Sequence, residues 1–329
     1  MDAVRIRPTP DGGVPVVVGL PAPAPGPGQV LVRVRASGLN RGELLQAGRV
    51  KDGDLVPVGV ELAGEIDTVG ADVTDWKPGD AVVAHGTGTQ AELVVVSASA
   101  LVRKPESSSW AEAGSFLNVY MTAHDALVTN GRMAPGEAVL INAATGGIGL
   151  AAVQIARALG AGTVIATTTS ASKTQALYDQ GAHHVIDMSS QDQVSTVAEI
   201  TGNRGVDVVI DSVGGTVLDD NLTSMAVRGR LVQVGRMGSA RAEIDLTTLW
   251  RKRLTLIGVT FRTRTEEERL DCIRAAERDL LDLWERRVIV PVVDRTFAMA
   301  DVAAAYDHMT RSGHIGKIAL LMPPPAGDR

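Results

Sequence analysis

Residues 138–159 read AVLINAATGGIGLAAVQIARAL, and Ala144, Gly146 and Gly149 fall at the spacing of a G-x-G-x-x-G turn whose first glycine is an alanine. The apolar run before the turn has the length of a buried strand, and the alanine-rich run after it has the composition of a helix. A pyrophosphate calls for that context. Glycines let the backbone approach the phosphates, and the unpaired N–H groups and partial positive charge of a helix N-terminus meet the anion. Ala144, Thr145, Gly146, Gly147, Ile148 and Gly149 are therefore expected to cradle a dinucleotide. The next apolar run, residues 163–167, bears on which one. A site selective for NADH carries an acid near this point to hold the ribose 2′-hydroxyl. Here the chain continues Thr168-Thr169-Ser170-Ala171-Ser172-Lys173. Hydroxyls and an ammonium suit a 2′-phosphate dianion, so NADPH is the expected cofactor, ahead of NADH.

Positioning such a loop requires a sheet. Short buried strands are expected at 138–142, 163–167, 185–187, 206–211, 231–234 and 254–259, with helices at 148–159, 172–180 and 191–201 between them. That alternation implies an α/β fold with a doubly wound parallel sheet. Ligands bind at the carboxyl ends of the strands in such sheets. Ser212 and Val213 after one strand, and Gly235 and Arg236 after the next, are accordingly further candidate contacts. The first third has another texture. In residues 30–35 valines alternate with arginines, the period of a half-buried strand. Apolar runs at 58–69, 81–84 and 91–96 follow, separated by turn clusters such as Lys77-Pro78-Gly79-Asp80. Residues 21–28 form a stiff proline-rich connection. A helix is expected from 110 to 127, a long charged helix after 262 and a last strand at 317–322, with PPPAGDR as a loose tail.

Composition narrows the function classes. The 329 residues are 45% hydrophobic and 21% charged, with a net charge of −6, and no long basic run offers a nucleic-acid surface. No apolar stretch reaches the ~18 residues of a membrane span. The N-terminus lacks an apolar signal core, so a cytoplasmic location is expected. The only cysteine, Cys272, lies in the helical pattern EEERLDCIRAAERDLLDLW and is expected to be a packed thiol. Six histidines and one cysteine, none in an H-x-x-x-H arrangement, supply no zinc cage.

The segments PAPAPGPGQVLVRVRASGLNRGELL, GVELAGEIDTVG, WKPGDAVV, YMTAHDAL, NAATGGIGLAAVQIARALGA, KTQALYDQGAHHVID, GVDVVIDSVGG, GRLVQVGRMG and SGHIGKIALL span nearly the whole chain. Together they resemble the zinc-independent quinone oxidoreductase branch of the medium-chain dehydrogenase/reductase superfamily. The resemblance implies a GroES-like β-rich catalytic domain (1–116), an inserted Rossmann NADPH-binding domain (117–259) and a C-terminal segment (260–329) completing the first. It also implies a homodimer, with residues 254–259 as the edge strand at which the sheets meet. Zinc-dependent relatives carry a cysteine where this chain has Asn40 and a histidine where it has Val60, so no zinc is expected.

By the same resemblance Asn40 stands beside the nicotinamide and is the candidate catalytic residue; its other reading is a turn or cap. Thr122 approaches the cofactor or bonds its own helix. Phe261 meets the carboxamide through its backbone or is a core aromatic. Lys317 is a late cofactor contact or a solvated surface lysine. Tyr120 and His124 are expected in the core, and Arg41, Arg49, Arg262 and Arg264 at the solvated surface, their other reading being guides for an anionic substrate. The implied reaction is hydride transfer from NADPH to a small conjugated carbonyl compound, a quinone or an α,β-unsaturated ketone. Two alternatives stand beside it: an enoyl reductase acting on a polyketide or acyl thioester, and a cofactor-binding structural or regulatory protein with negligible turnover. The enoyl reductases of the superfamily often carry a tyrosine where this chain has Val50, and quinone reductases often carry one where it has Met188.

Overall fold

The structure, a computed structural model, describes residues 1–311 and 313–324; the expected loose tail lies outside the described residues from position 325 on. The chain forms two compact units, Met1–Asn118 with Val290–Arg329, and Val119–Ile289.

The second unit is built on six parallel strands, ordered His184–Asp187, Thr163–Thr168, Ala138–Ile141, Val206–Asp211, Met225–Gln233, Thr255–Gly258. In chain order this is 3-2-1-4-5-6, the doubly wound arrangement, and the direction of winding reverses between Ala138–Ile141 and Val206–Asp211. The central strands Ala138–Ile141, Thr163–Thr168 and Val206–Asp211 are almost wholly buried, which is why they read as apolar runs. Leu140, Ile165, Ile186, Val209 and Leu231 pack with Val197 and Leu222 in one core cluster. Helix Gly147–Ala158 lies against Ala138–Ile141 and Thr163–Thr168, burying Leu150 to Ala156.

The long helix Glu266–Glu285 also belongs to this unit. A Thr265–Glu268 capping box starts it, and Ile273, Ala276, Leu280 and Trp284 form its buried stripe. Residues 260–289 thus part company with the rest of the C-terminal segment, because that stripe, the Arg264–Asp125 ion pair and the His124–Asp279 hydrogen bond tie them to the second unit. The helix expected over 110–127 is broken into Trp110–Ala113, Leu117–His124 and a π-helical turn Asp125–Asn130. At the first break a Cβ on Gly114 would lie 2.7 Å from the carbonyl oxygen of Ala36, an approach only glycine allows.

In the first unit, strand Gln29–Gly38 pairs antiparallel with Glu61–Val69, with Leu93–Ser97 and with Lys317–Leu321. The sheet runs Val293–Ala298, Lys317–Leu321, Gln29–Gly38, Glu61–Val69, Ala81–His85, Leu101–Arg103. The last strand of the chain therefore lies beside one of the first, with Ala319 opposite Gly38. A small sheet of Val14–Gly19, Asp2–Arg7 and Val56–Pro57 completes the unit. Among the described residues no helix is long and apolar enough to cross a membrane.

Candidate functional site

In the second unit the expected strand, glycine-rich turn and helix form at the point where the winding reverses. Strand Ala138–Ile141 leads into Asn142, whose N–H donates to the Ile210 carbonyl at 2.9 Å, and the N–H of Ala144 donates to the Thr167 carbonyl at 3.0 Å. These two bonds fasten the turn to strands on both sides. Gly146 is the N-cap of helix Gly147–Ala158, and no side chain caps it. The first-turn N–H groups of that helix have no intrahelical acceptor. A Cβ at Gly146 would meet only the Ala143 carbonyl oxygen, 3.5 Å away, whereas one at Gly149 would lie 2.5 Å from the Cα of Ala144. Gly146 keeps the space before the helix clear, and Gly149 lets helix and turn touch. This donor set fits a pyrophosphate.

Thr168 ends the neighbouring strand with its hydroxyl turned to the N–H of Ser170 at 3.2 Å; the hydroxyls of Ser170 and Ser172 are 2.9 Å apart, Thr169 is exposed and Lys173 half-buried. The acid in register with Thr168 is Asp187, whose Oδ1 accepts from the N–H and hydroxyl of Ser189 at 3.0 and 2.7 Å. Asp211, buried at the end of its strand, accepts from the N–H groups of Val213 (2.7 Å) and Gly214 (3.1 Å) and so shapes the turn containing Ser212. Burial pushes its carboxyl above the usual range, against those hydrogen bonds. Gly235 packs against that turn: a Cβ there would lie 2.8 Å from the Ser212 carbonyl oxygen. Arg236 is exposed. The candidates Ala144 to Gly149, Thr168 to Ser170 with Lys173, Ser212 with Val213, and Gly235 with Arg236 all follow the carboxyl ends of adjacent strands.

Phe261 follows the edge strand Thr255–Gly258 and carries the Arg264 guanidinium 4.6 Å from its ring centre. Arg264 is not a solvated arginine as expected; it pairs with buried Asp125 at 2.6 Å. Cys272 donates to the same carboxylate at 3.6 Å, and burial, aided by that charge, pushes its thiol up to about 11. Thr122, Tyr120 and His124 are buried in helix Leu117–His124.

The first unit brings Asn40 and Lys317 together, 277 positions apart in the chain. The Lys317 ammonium donates to the Leu39 carbonyl (2.6 Å) and Asn40 Oδ1 (2.7 Å), and pairs with Glu61 Oε1 (2.8 Å). Asn40 Nδ2 donates to the Gly38 carbonyl (3.1 Å) and Glu61 Oε1 (3.0 Å), while Oδ1 also accepts from Asn118 Nδ2 (2.9 Å). Glu61 Oε2 accepts from the Asn118 N–H at 3.0 Å. Glu61 and Lys317 are only 1% and 4% exposed, so Lys317 is not a solvated surface lysine. A second carboxyl, Glu43, is fully enclosed; its Oε2 accepts from Gln90 Nε2 (2.9 Å) and the Tyr306 hydroxyl (3.1 Å). Burial pushes Glu43 up to about 7, with the Lys317 charge pulling the other way.

Glu61, Asn118, Glu43 and Asp211 escaped the sequence analysis. Glu61 had a visible signal, an acid heading the otherwise apolar run ELAG. The other three had none, because their partners lie far along the chain or in the backbone. The resemblance sets Asn40 and Val60 where zinc-dependent relatives are expected to carry cysteine and histidine. A carboxamide with both N–H groups and both lone pairs engaged is no zinc ligand, nor is an isopropyl group, and an ammonium already bonds to Asn40 and Glu61. The residues present do not fit the metal.

Comparison with known proteins follows the same division. The profile of the zinc-binding dehydrogenase family matches residues 147–275, and that of the alcohol dehydrogenase GroES-like domain matches residues 26–106. The chain is similar to a quinone oxidoreductase of Pongo abelii, 30% identical over 298 residues that cover 89% of this chain and 88% of that protein. It is likewise similar to a phenolphthiocerol/phthiocerol polyketide synthase of Mycobacterium tuberculosis, 33% identical over 304 residues; that match takes in 89% of this chain but spans only 14% of the synthase's length. Among solved structures, a mycobacterial protein complexed with NADPH superposes with a TM-score of 0.86 at 30% identity, covering 98% of this chain and 100% of the other. With the Rossmann order of the second unit, the GroES-like match in the first and a relative aligned over most of both lengths, the chain belongs to the medium-chain dehydrogenase/reductase superfamily.

Proposed function

We propose that the chain is a zinc-independent oxidoreductase that binds NADPH and transfers hydride to a quinone or an α,β-unsaturated carbonyl compound. The observation that carries this is the uncapped helix at Gly146, set where the winding of the sheet reverses. The similarity to a quinone oxidoreductase and to a structure complexed with NADPH supports the donor and the acceptor class. Thr168, Thr169, Ser170 and Lys173, with no acid pointing from the strand end, support a 2′-phosphate. The nicotinamide supplies the hydride; the chain's share is to hold the nucleotide and exclude water around the acceptor. In this reading Asn40, Thr122, Ser212, Val213, Gly235, Arg236 and Phe261 are the further residues serving the cofactor, and the protein acts as a cytoplasmic homodimer. Support for the dimer comes from the half-open edge strand Thr255–Gly258 and the neighbouring helix Leu246–Lys252, on which Leu246 and Trp250 are 69% and 73% exposed.

A second reading, an enoyl reductase for acyl thioesters, is favoured by the match to the polyketide synthase. The two separate in one assay. Loss of nicotinamide absorbance is followed with NADPH or NADH and a panel of quinones, enones and enoyl thioesters. Turnover with quinones or enones is expected, and turnover confined to thioesters replaces it with the second reading. Tight nucleotide binding without any turnover leaves a cofactor-binding protein. Lys173→Ala is expected to lower kcat/KM for NADPH about tenfold, the order of one charge-assisted contact, and to leave NADH unchanged.

A further inference from the structure

Position 317 carries more than its distance from Asn40. A lysine ammonium has three donors, and here all three are spent inside the first unit, on Leu39, Asn40 and Glu61. Glu61 in turn has both oxygens engaged, Oε1 by Lys317 and Asn40 and Oε2 by the Asn118 N–H. The charges are nearly sealed from water. The fit is also close in the backbone: a Cβ on Gly38 would lie 2.7 Å from Glu61 Oε1 and 3.1 Å from Lys317 Cε. A nucleotide phosphate could take hold of this ammonium only by breaking a buried ion pair.

We propose that Lys317 is a positioning residue: the fixed internal cation of the first unit, which neutralises Glu61 and, with it, clamps the Asn40 carboxamide in one orientation. Asn40 is then held by donors and acceptors on three separate stretches of chain, at Glu61, Asn118 and Lys317. Its amide cannot flip, because exchanging Oδ1 and Nδ2 would set an N–H against the Lys317 ammonium and an oxygen against the Glu61 carboxylate. The proposal deepens the hydride-transfer reading at one point only, the effect on turnover; the ion pair and the nucleotide titration stand apart from it.

The test uses Lys317→Met, Glu61→Gln and the double variant of the full chain, with three readouts: thermal midpoint, NADPH Kd by fluorescence titration, and kcat and KM with whichever acceptor the panel yields. Each single change strands a buried charge and is expected to lower Tm by on the order of 10 °C. The double variant, with both charges gone, is expected to recover most of that loss. NADPH Kd is expected to stay within about threefold of the parent in all three, with kcat of Lys317→Met reduced tenfold or more at unchanged KM. A tenfold rise in NADPH Kd for Lys317→Met with Tm unchanged makes Lys317 a nucleotide ligand and overturns the proposal. Should Lys317→Met not fold, the double variant decides: folded protein supports the charge pairing, and a double variant no better than the single one overturns it. If no acceptor is turned over, the hydride-transfer reading fails by itself, while Tm coupling and Kd still judge the pair.

Discussion

Gly146 and Gly149 stand three positions apart in one motif, yet their environments differ, and so should their substitutions. At Gly146 a methyl group has room within the protein and φ is −79°, a value alanine adopts readily. Gly146→Ala should therefore keep Tm within a degree or two of the parent while weakening NADPH tenfold or more, because the methyl group occupies the approach to the phosphates. At Gly149 the methyl group would press on the backbone of Ala144, which cannot turn aside; overpacking of this kind costs about 1–3 kcal/mol. Gly149→Ala should lose stability and binding together. Urea unfolding and nucleotide titration of both variants check the pair; equal behaviour would mean that the two glycines share one role. The strand, turn and helix around these glycines were legible in the sequence because they are contiguous, all lying between residues 138 and 158. The polar centre of the first unit was not. Asn40 lies 21 positions from Glu61, 78 from Asn118 and 277 from Lys317, and no local spacing announces bonds that only the folded unit creates.

The strands of the second unit were legible because a parallel sheet covered on both faces demands apolar runs, and each expected run became a strand to within a few residues. The longest deviation is Met225–Gln233, which begins six residues before the expected 231. Its first six residues, MAVRGR, carry two arginines, but Arg230 is drawn to Glu137 at 2.7 Å and to the carbonyls of Gly131 and Arg132, partners invisible in the strand itself. The break at Gly114 escaped for the same reason, since it answers to a neighbouring strand rather than to the helix sequence. At this scale the edge of the sheet carries a prediction. If Thr255–Gly258 and helix Leu246–Lys252 meet a second copy, Trp250→Glu should place a charge among apolar side chains and yield monomer in sedimentation or native mass measurements, with the parent sedimenting as a dimer. An unaltered mass would remove this face from the interface.

At the scale of the molecule, stability itself should report Glu43. Its carboxyl titrates near 7 when folded, against an ordinary value of 4.5, so the folded chain keeps a proton that the unfolded chain releases. Stability from this group is then greatest below about pH 4.5 and falls as pH rises towards 7, by at most about 3 kcal/mol. Glu43→Gln keeps an acceptor for Gln90 and Tyr306 and does not ionise. Its unfolding free energy relative to the parent should therefore climb between pH 4.5 and 7 in urea titrations; parallel curves at all pH values would show that folding leaves the carboxyl's proton affinity unchanged. The discontinuity of the first unit has one more consequence. On a ribosome, where domains form as units while the chain grows, everything needed for the Rossmann sheet emerges before Lys317 does. The nascent chain must keep Glu61 hydrated, and the place beside Gln29–Gly38 unfilled, until translation has passed the final strand. Newly made protein should consequently become able to hold nucleotide before it acquires protease resistance around Glu61.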